Sequence, residues 1–278
     1  MLKKTLGIPY ICFIHGEDVQ TAAESRELTW IVRKVLRGAR KLIANSHNTE
    51  ALLQNKWQAP DSKIVVLHPG MDANRFVPAT PDEELLARMG WVDKKIILTV
   101  GRLQRRKGQD MLIRALPEVL RYHPNAMYVI IGEGEEQSSL ESLVAQLDLK
   151  DRVEFHSAVD DETMIRCYQH CTVFALPNRD DGSDIEGFGM VLAEAQACGK
   201  PVLAGDSGGT RETMRVGESG IIIDCTEPTS LARSLVDLLN NPDRLEEMGA
   251  QGRKHVETNL DWDVHVRTAS TVFAEKPC

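Results

Sequence analysis

The chain has 278 residues, of which 42% are apolar and 27% charged, enough to bury a core in one large or two medium domains. Its net charge of −8 argues against a dedicated nucleic-acid binder, which needs a cationic surface. No segment approaches the roughly 20 consecutive apolar residues that a membrane helix requires.

The opening MLKKTLGIPYICFIHG has the lysines and apolar run of a leader peptide. The run is short, however, contains Pro9 and lacks a small-x-small cleavage site, so residues 8–14 are expected to form a buried strand. A helix is expected over 24–38, with Leu28, Ile31, Val32, Val35 and Leu36 on one face. Arg26, Arg33, Lys34, Arg37, Arg40 and Lys41 crowd the same stretch. A solvated helix face accounts for them; so does a surface that rests on anionic lipid and admits a lipid-linked acceptor. Short strands at 41–45 and 63–67 flank a helix at 47–56, for which Asn45 and Ser46 are suitable N-caps. From 68 to 95 the segment HPGMDANRFVPATPDEE, rich in Pro, Asp and Asn, reads as an interdomain linker ending in a short helix.

From Lys95 the rhythm is regular. KIILTV is a strand buried on both faces. GRLQRRKG is a polar loop, and QDMLIRALPEVLRYH an amphipathic helix that Pro117 is expected to kink. AMYVIIGEG is a strand followed by a glycine loop. A helix at 136–147, a strand at 152–156, a helix at 161–170 and a strand at 172–176 follow. The loop DDGSDIEGFG leads to the helix MVLAEAQACG, which ends on Gly199. PVLAG, GIIID and two terminal helices complete a doubly wound domain of six strands, in which ligands bind at the carboxyl ends of the strands.

The loops at those ends carry the candidate chemistry. Arg102 and Lys107 stand just before a helix N-terminus, where fixed cations and backbone N–H groups suit a pyrophosphate. Arg105 and Arg106 in the same loop read as solvated. Gly132 and Gly134 would let a ligand approach the backbone closely, although such a pair is common in strand-to-helix turns. In DIEGFGMVLAEAQACGKPV, Glu186 and Glu194 flank Gly187, Phe188 and Gly189. Were both carboxylates on one helix, their backbones would lie roughly 12 Å apart along its axis, enough to span a sugar diphosphate. The N–H groups of Phe188 and Gly189 would then face the phosphates. Six cysteines are scattered without a CxxC pair; Cys167 and Cys171 bracket His170, but no second ligand cluster accompanies them, so they read as reduced thiols of a cytosolic protein, with no metal site.

GRLQRRKG, VIIGEG, RVEFHSAV, EGFGMVLAEAQACGKPVLA and GGTRETM occur in the order and spacing of a known family. From about residue 8 to 265 the chain resembles the retaining glycosyltransferases of the GT-B architecture, which include phosphatidylinositol mannosyltransferases and sucrose-forming enzymes. The resemblance implies an α/β fold with one complete Rossmann-like domain and a partial one before it. On this reading residues 1–75 are the partial acceptor-side domain, 76–94 the linker, 95–258 the nucleotide-sugar domain, and 259–278 a helix returning to the N-terminal part. It also implies transfer of a hexosyl group from GDP-mannose or a UDP-sugar, with retention and without a metal or cofactor. Arg102 and Lys107 would hold the donor pyrophosphate, Glu186 the sugar hydroxyls and Glu194 the ribose. Val159 would meet the base, and His15, in HGED, would lie beside the reacting sugar. Gly132, Gly187, Phe188 and Gly189 would line the donor site. PGMDANRF resembles the family's hinge element with Gly70 and Asp72 retained, and His68 and Met71 are departures from it. Trp262 resembles the aromatic of the terminal helix.

Family members usually carry a further N-terminal segment with a glycine-rich loop. A shortened sequence, a partner chain supplying the rest, and a donor-binding protein without turnover are all compatible with this. The acceptor, lipid-linked or an oligosaccharide, is not readable, and the expected location is cytoplasmic or peripheral at the inner membrane face.

Overall fold

The computed structural model describes residues 8–157 and 159–274, so the leader-like residues 1–7 lie outside it. The first sheet is parallel, in the order β1 (Ile11–Ile14), β2 (Lys41–Ala44), β3 (Ile64–Val66), with Ile11 opposite Lys41 and Leu42 opposite Ile64. Helices α1 (Glu17–Ala22), α2 (Arg26–Gly38) and α3 (His47–Asn55) connect and follow these strands. Ile14, Leu36, Leu42, Ala44, Leu53 and Trp57 form the core between them.

Two expectations fail here. The strand is shorter than 8–14, and it is not buried: among the described residues β1 pairs with β2 alone, and Phe13 is 51% exposed. The apolar face expected on α2 is also only partly covered. Leu36 is buried, but Leu28, Ile31 and Val35 are exposed together with Trp30. Three strands offer too little sheet to cover the whole apolar face of this helix.

The segment expected as a linker is packed. Asp82 caps α4 (Glu83–Arg88) by accepting from the Leu85 N–H. Phe76 and Trp91 are buried in the core of the larger domain. Burial of these two aromatics ties the segment to that domain.

The second sheet has the order β6-β5-β4-β7-β8-β9, with β4 (Lys95–Val100), β5 (Ala126–Ile131), β6 (Val153–His156), β7 (Val173–Leu176), β8 (Val202–Gly205) and β9 (Gly220–Ile223). All pairs are parallel. The order reverses between β4 and β7, and such switch points open a crevice at the carboxyl ends of the strands. One face is covered by α5 (Gln109–Tyr122), α6 (Gln137–Gln146) and α9 (Pro228–Asn240), the other by α7 (Asp161–His170), α8 (Met190–Ala197) and α10 (Pro242–Asn259). α5 runs unbroken through Pro117, because Leu112, Ala115, Leu116 and Val119 on its inner face are fully buried. Packing of that face outweighs the loss of one N–H donor.

α11 (Trp262–Ala274) crosses to the first sheet, where Ala269 and Val272 meet Ile43 and Leu67. Its start is fixed to the hinge: Met71 N–H donates to the Leu260 carbonyl, and Trp262 N–H to that of Met71. Among the described residues, no helix is long and apolar enough to cross a membrane.

Candidate functional site

The loops after β4 and β7 meet at the switch point around a buried charge cluster. Glu186 Oε2 accepts from Lys107 Nζ at 2.5 Å and from Arg106 Nη1 at 2.9 Å. The three side chains are between 7% and 10% exposed. Arg106 Nε also lies 2.8 Å from Asp184 Oδ1. Burial alone would push the Glu186 carboxyl upward, but Lys107 and Arg106 overcome this and hold it below its ordinary value. For Lys107 burial dominates and lowers its value, against the pull of Glu186.

Arg106 is therefore not the solvated residue that the sequence suggests. Its position in a short 3-10 turn, Arg105–Lys107, points it inward, while Arg105 stays exposed with Asp181 at 3.8 Å. Gly108 closes the turn. Arg102 is exposed and lies 3.6 Å from Glu17 of α1 across the cleft.

Glu186 does not belong to the helix that carries Glu194. α8 begins at Met190, and Gly189 precedes it in a left-handed conformation, φ 95°. The 12 Å helical spacing consequently does not apply, and the loop sets the placement of the two carboxylates. Gly187 lies where a Cβ would come 2.7 Å from the His15 carbonyl, so the two halves touch through backbone at this point. Phe188 is buried beneath the imidazole of His68, ring centroids 5.2 Å apart. Glu194 accepts from Tyr168 OH at 2.7 Å, and burial pushes its carboxyl upward. Gly132 has φ 144° and leaves no room for a Cβ, which would fall 2.0 Å from the Gly101 carbonyl. Val159 is partly buried against the core on the α7 side.

His15 is exposed at the carboxyl end of β1, its N–H directed at Asp18. Asn45 donates to the His15 carbonyl at 3.2 Å. Of the two expected caps, Ser46 is the one that accepts from Thr49 N–H, which leaves Asn45 free to hold this carbonyl. Behind His15 lies a largely apolar cavity of about 210 Å³ lined by Phe13, Ile43, Leu67 and Trp262 among others. The His15 carbonyl thus meets the Gly187 loop from the first sheet.

Two features escaped the sequence reading. His68, a departure from the hinge pattern, places Nε2 2.9 Å from Glu212 Oε2. Glu212 also accepts from the N–H groups of His47 and Asn48, at 2.7 and 3.1 Å, and so caps α3 from the other domain. Nothing local in GGTRETM signals a cap 165 residues away. His47, His68 and Glu212 also form a group that could hold a metal ion, but the carboxylate is already satisfied by these donors. The thiols of Cys167 and Cys171 are buried and pushed up to about 12 by that burial, as befits inert core groups.

Residues 82–255 match the family model "Glycosyl transferases group 1", and residues 1–75 match "Glycosyltransferase Family 4". A GDP-mannose-dependent alpha-(1-6)-phosphatidylinositol monomannoside mannosyltransferase of Mycolicibacterium smegmatis is 34% identical over 92% of this chain and 69% of its own length. A GDP-mannose-dependent monoacylated alpha-(1-6)-phosphatidylinositol monomannoside mannosyltransferase of Corynebacterium glutamicum is 37% identical over 76% of this chain. The match spans only 56% of that relative's length. The crystal structure of Anabaena HepE in complex with UDP and glucose superposes with a TM-score of 0.84 at 22% identity, over 98% of this chain and 73% of that one.

Proposed function

Because the chain belongs to the group 1 glycosyltransferases and has a GT-B fold, we propose that it carries the donor site for retaining, metal-independent hexosyl transfer from a nucleotide-diphosphate sugar. The observation that carries this reading is the buried Arg106–Lys107–Glu186 cluster at the switch point, beside Gly187–Gly189. The Lys107 ammonium and a glycine-lined helix entry suit a diphosphate, and an ionised carboxylate suits sugar hydroxyls. GDP-mannose is the favoured donor, since the curated relatives above are named for it; a UDP-sugar is the alternative.

In this reading Lys107 and Arg102 take up the charge that develops on the leaving diphosphate, the task a metal ion performs elsewhere. The exposed Arg102–Glu17 pair costs little to break on donor entry. Glu186 holds the sugar, Glu194 the ribose and Val159 the base. His15 stands beside the anomeric carbon on the acceptor side. Attack comes from the face of departure, and the departing phosphate accepts the acceptor's proton.

The acceptor proposed is a phosphatidylinositol-type lipid, as in the names of those relatives, reached at a membrane surface through α2. Trp30, Ile31 and Val35 are exposed there beside Arg33, Lys34 and Arg37, the pattern of a helix that lies on anionic lipid at the inner membrane face. The three-stranded first sheet favours a second reading, in which a further polypeptide segment or partner chain completes the acceptor side and this chain alone binds donor without turnover.

The test is incubation with GDP-mannose or UDP-glucose and phosphatidylinositol-containing vesicles, with product linkage read by NMR. An α-linked product formed equally with and without EDTA is expected. A β-linked product removes retention, and loss of product in EDTA removes metal independence.

A further inference from the structure

The cluster pairs two cations, Arg106 and Lys107, with the carboxylates of Glu186 and Asp184. One oxygen, Glu186 Oε2, receives both Lys107 and Arg106. The two cations differ in how they are held. Arg106 is fixed from several sides: its Nε faces Asp184 at 2.8 Å, and its backbone carbonyl accepts from Arg179 N–H at 2.8 Å. Arg179 is itself clamped by Asp110 through two contacts, at 2.8 and 3.1 Å. Beyond the Glu186 contact, Lys107 is an ammonium on a flexible stem, and its turn ends at the left-handed Gly108.

A buried carboxylate deprived of its only cation is strongly disfavoured. Lys107 can therefore leave Glu186 for another anion only if a second cation stays behind. We propose that Arg106 is a positioning residue that keeps Glu186 neutralised and so releases Lys107 to bind the donor diphosphate. This rests on the donor-site reading above and adds a role for a residue outside the expected pyrophosphate pair. Without Arg106, Lys107 is the sole partner of Glu186 and stays pinned to it. Removal of Glu186 as well abolishes the trap and frees Lys107 again. Arg106 acts through Lys107 and does not itself touch the donor.

The experiment is calorimetric titration of the chain with GDP and with UDP, for wild type, R106M, R106K, E186Q and R106M/E186Q, with thermal unfolding of each variant as a check on folding. Methionine conserves the buried volume. R106M is expected to weaken binding of the preferred diphosphate at least about tenfold, the scale of a lost charge-assisted contact. R106K, which retains a cation, is expected to lie between R106M and wild type. The double variant is expected to recover to within about threefold of E186Q, a rescue that loss of packing alone does not produce. Wild-type affinity in R106M overturns the proposal. So does a folded double variant that binds as weakly as R106M, since Arg106 is then structural only. If R106M does not fold, the double variant compared with E186Q decides: a loss greater than about threefold overturns the proposal. Failure of the wild-type chain to bind either diphosphate instead removes the donor-site reading itself.

Discussion

Glu186, Glu194 and Glu212 are three glutamates with three different fates. Glu186 is held ionised by two buried cations, although burial opposes it. For Glu194 burial outweighs the Tyr168 hydroxyl and the charge of Arg75, and its carboxyl rises. A ribose offers two hydroxyl donors to that carboxylate, so Glu194→Ala is expected to weaken nucleotide binding by about 1–3 kcal/mol. Unchanged affinity in a titration would show that the ribose lies elsewhere. Glu212 is held below the ordinary value because hydrogen bonds from His68 and from the backbone of His47 and Asn48 outweigh burial. A depressed carboxylate contributes stability that is present above its unfolded pKa and lost as pH falls through the folded one. Glu212→Gln is thus expected to flatten the fall in urea midpoint as pH drops below the ordinary carboxyl value of 4.5, relative to wild type. Parallel pH curves would contradict the cap.

At the scale of elements, α2 is the outlier. Its moment is strongly amphipathic, yet Leu28, Trp30, Ile31 and Val35 face solvent, and Lys34 Nζ sits 4.5 Å above the Trp30 ring. Vesicles containing anionic phospholipid are expected to co-sediment with the chain, neutral vesicles much less, and Trp30→Ser with Ile31→Ser to lower the bound fraction several-fold without change in far-UV circular dichroism. Equal binding of the double variant would exclude α2 as the membrane face. The sequence predicted this helix well but not its orientation. Periodicity reveals which residues share a face, and only the neighbouring strands decide whether that face is covered. The same limit applies to β1: Ile11–Ile14 has the composition of a buried strand, but among the described residues it pairs with β2 alone and is an edge. α8 shows the complementary case. Its start at Met190 is where the sequence places it, and the left-handed Gly189 before it leaves Glu186 in the loop, turned toward Lys107.

For the whole molecule, the larger domain was almost fully legible, because six apolar strands alternating with helices leave few arrangements of a parallel sheet. The cross-domain chemistry was not. The Glu212 cap on α3, the His15–Gly187 backbone approach and the Arg102–Glu17 pair join residues that are far apart in sequence and have no local pattern. Arg106 was misread for the same reason: its partner Glu186 is 80 residues away, and a run of three basic residues in a polar loop has the composition of a solvated one. These contacts place the 186–189 loop and Glu212 against the carboxyl ends of the first sheet, the arrangement that the proposed transfer needs.

The claim on which the account rests is that this cleft binds a nucleoside diphosphate without a metal. The most direct measurement is calorimetric titration of the chain with GDP, UDP and ADP in the presence of EDTA, then with the matching nucleotide sugars. The account predicts saturable binding of one nucleotide, GDP in the favoured case, with the same affinity when magnesium replaces EDTA. A folded chain that binds none of the three, or one that binds only when magnesium is present, would contradict it.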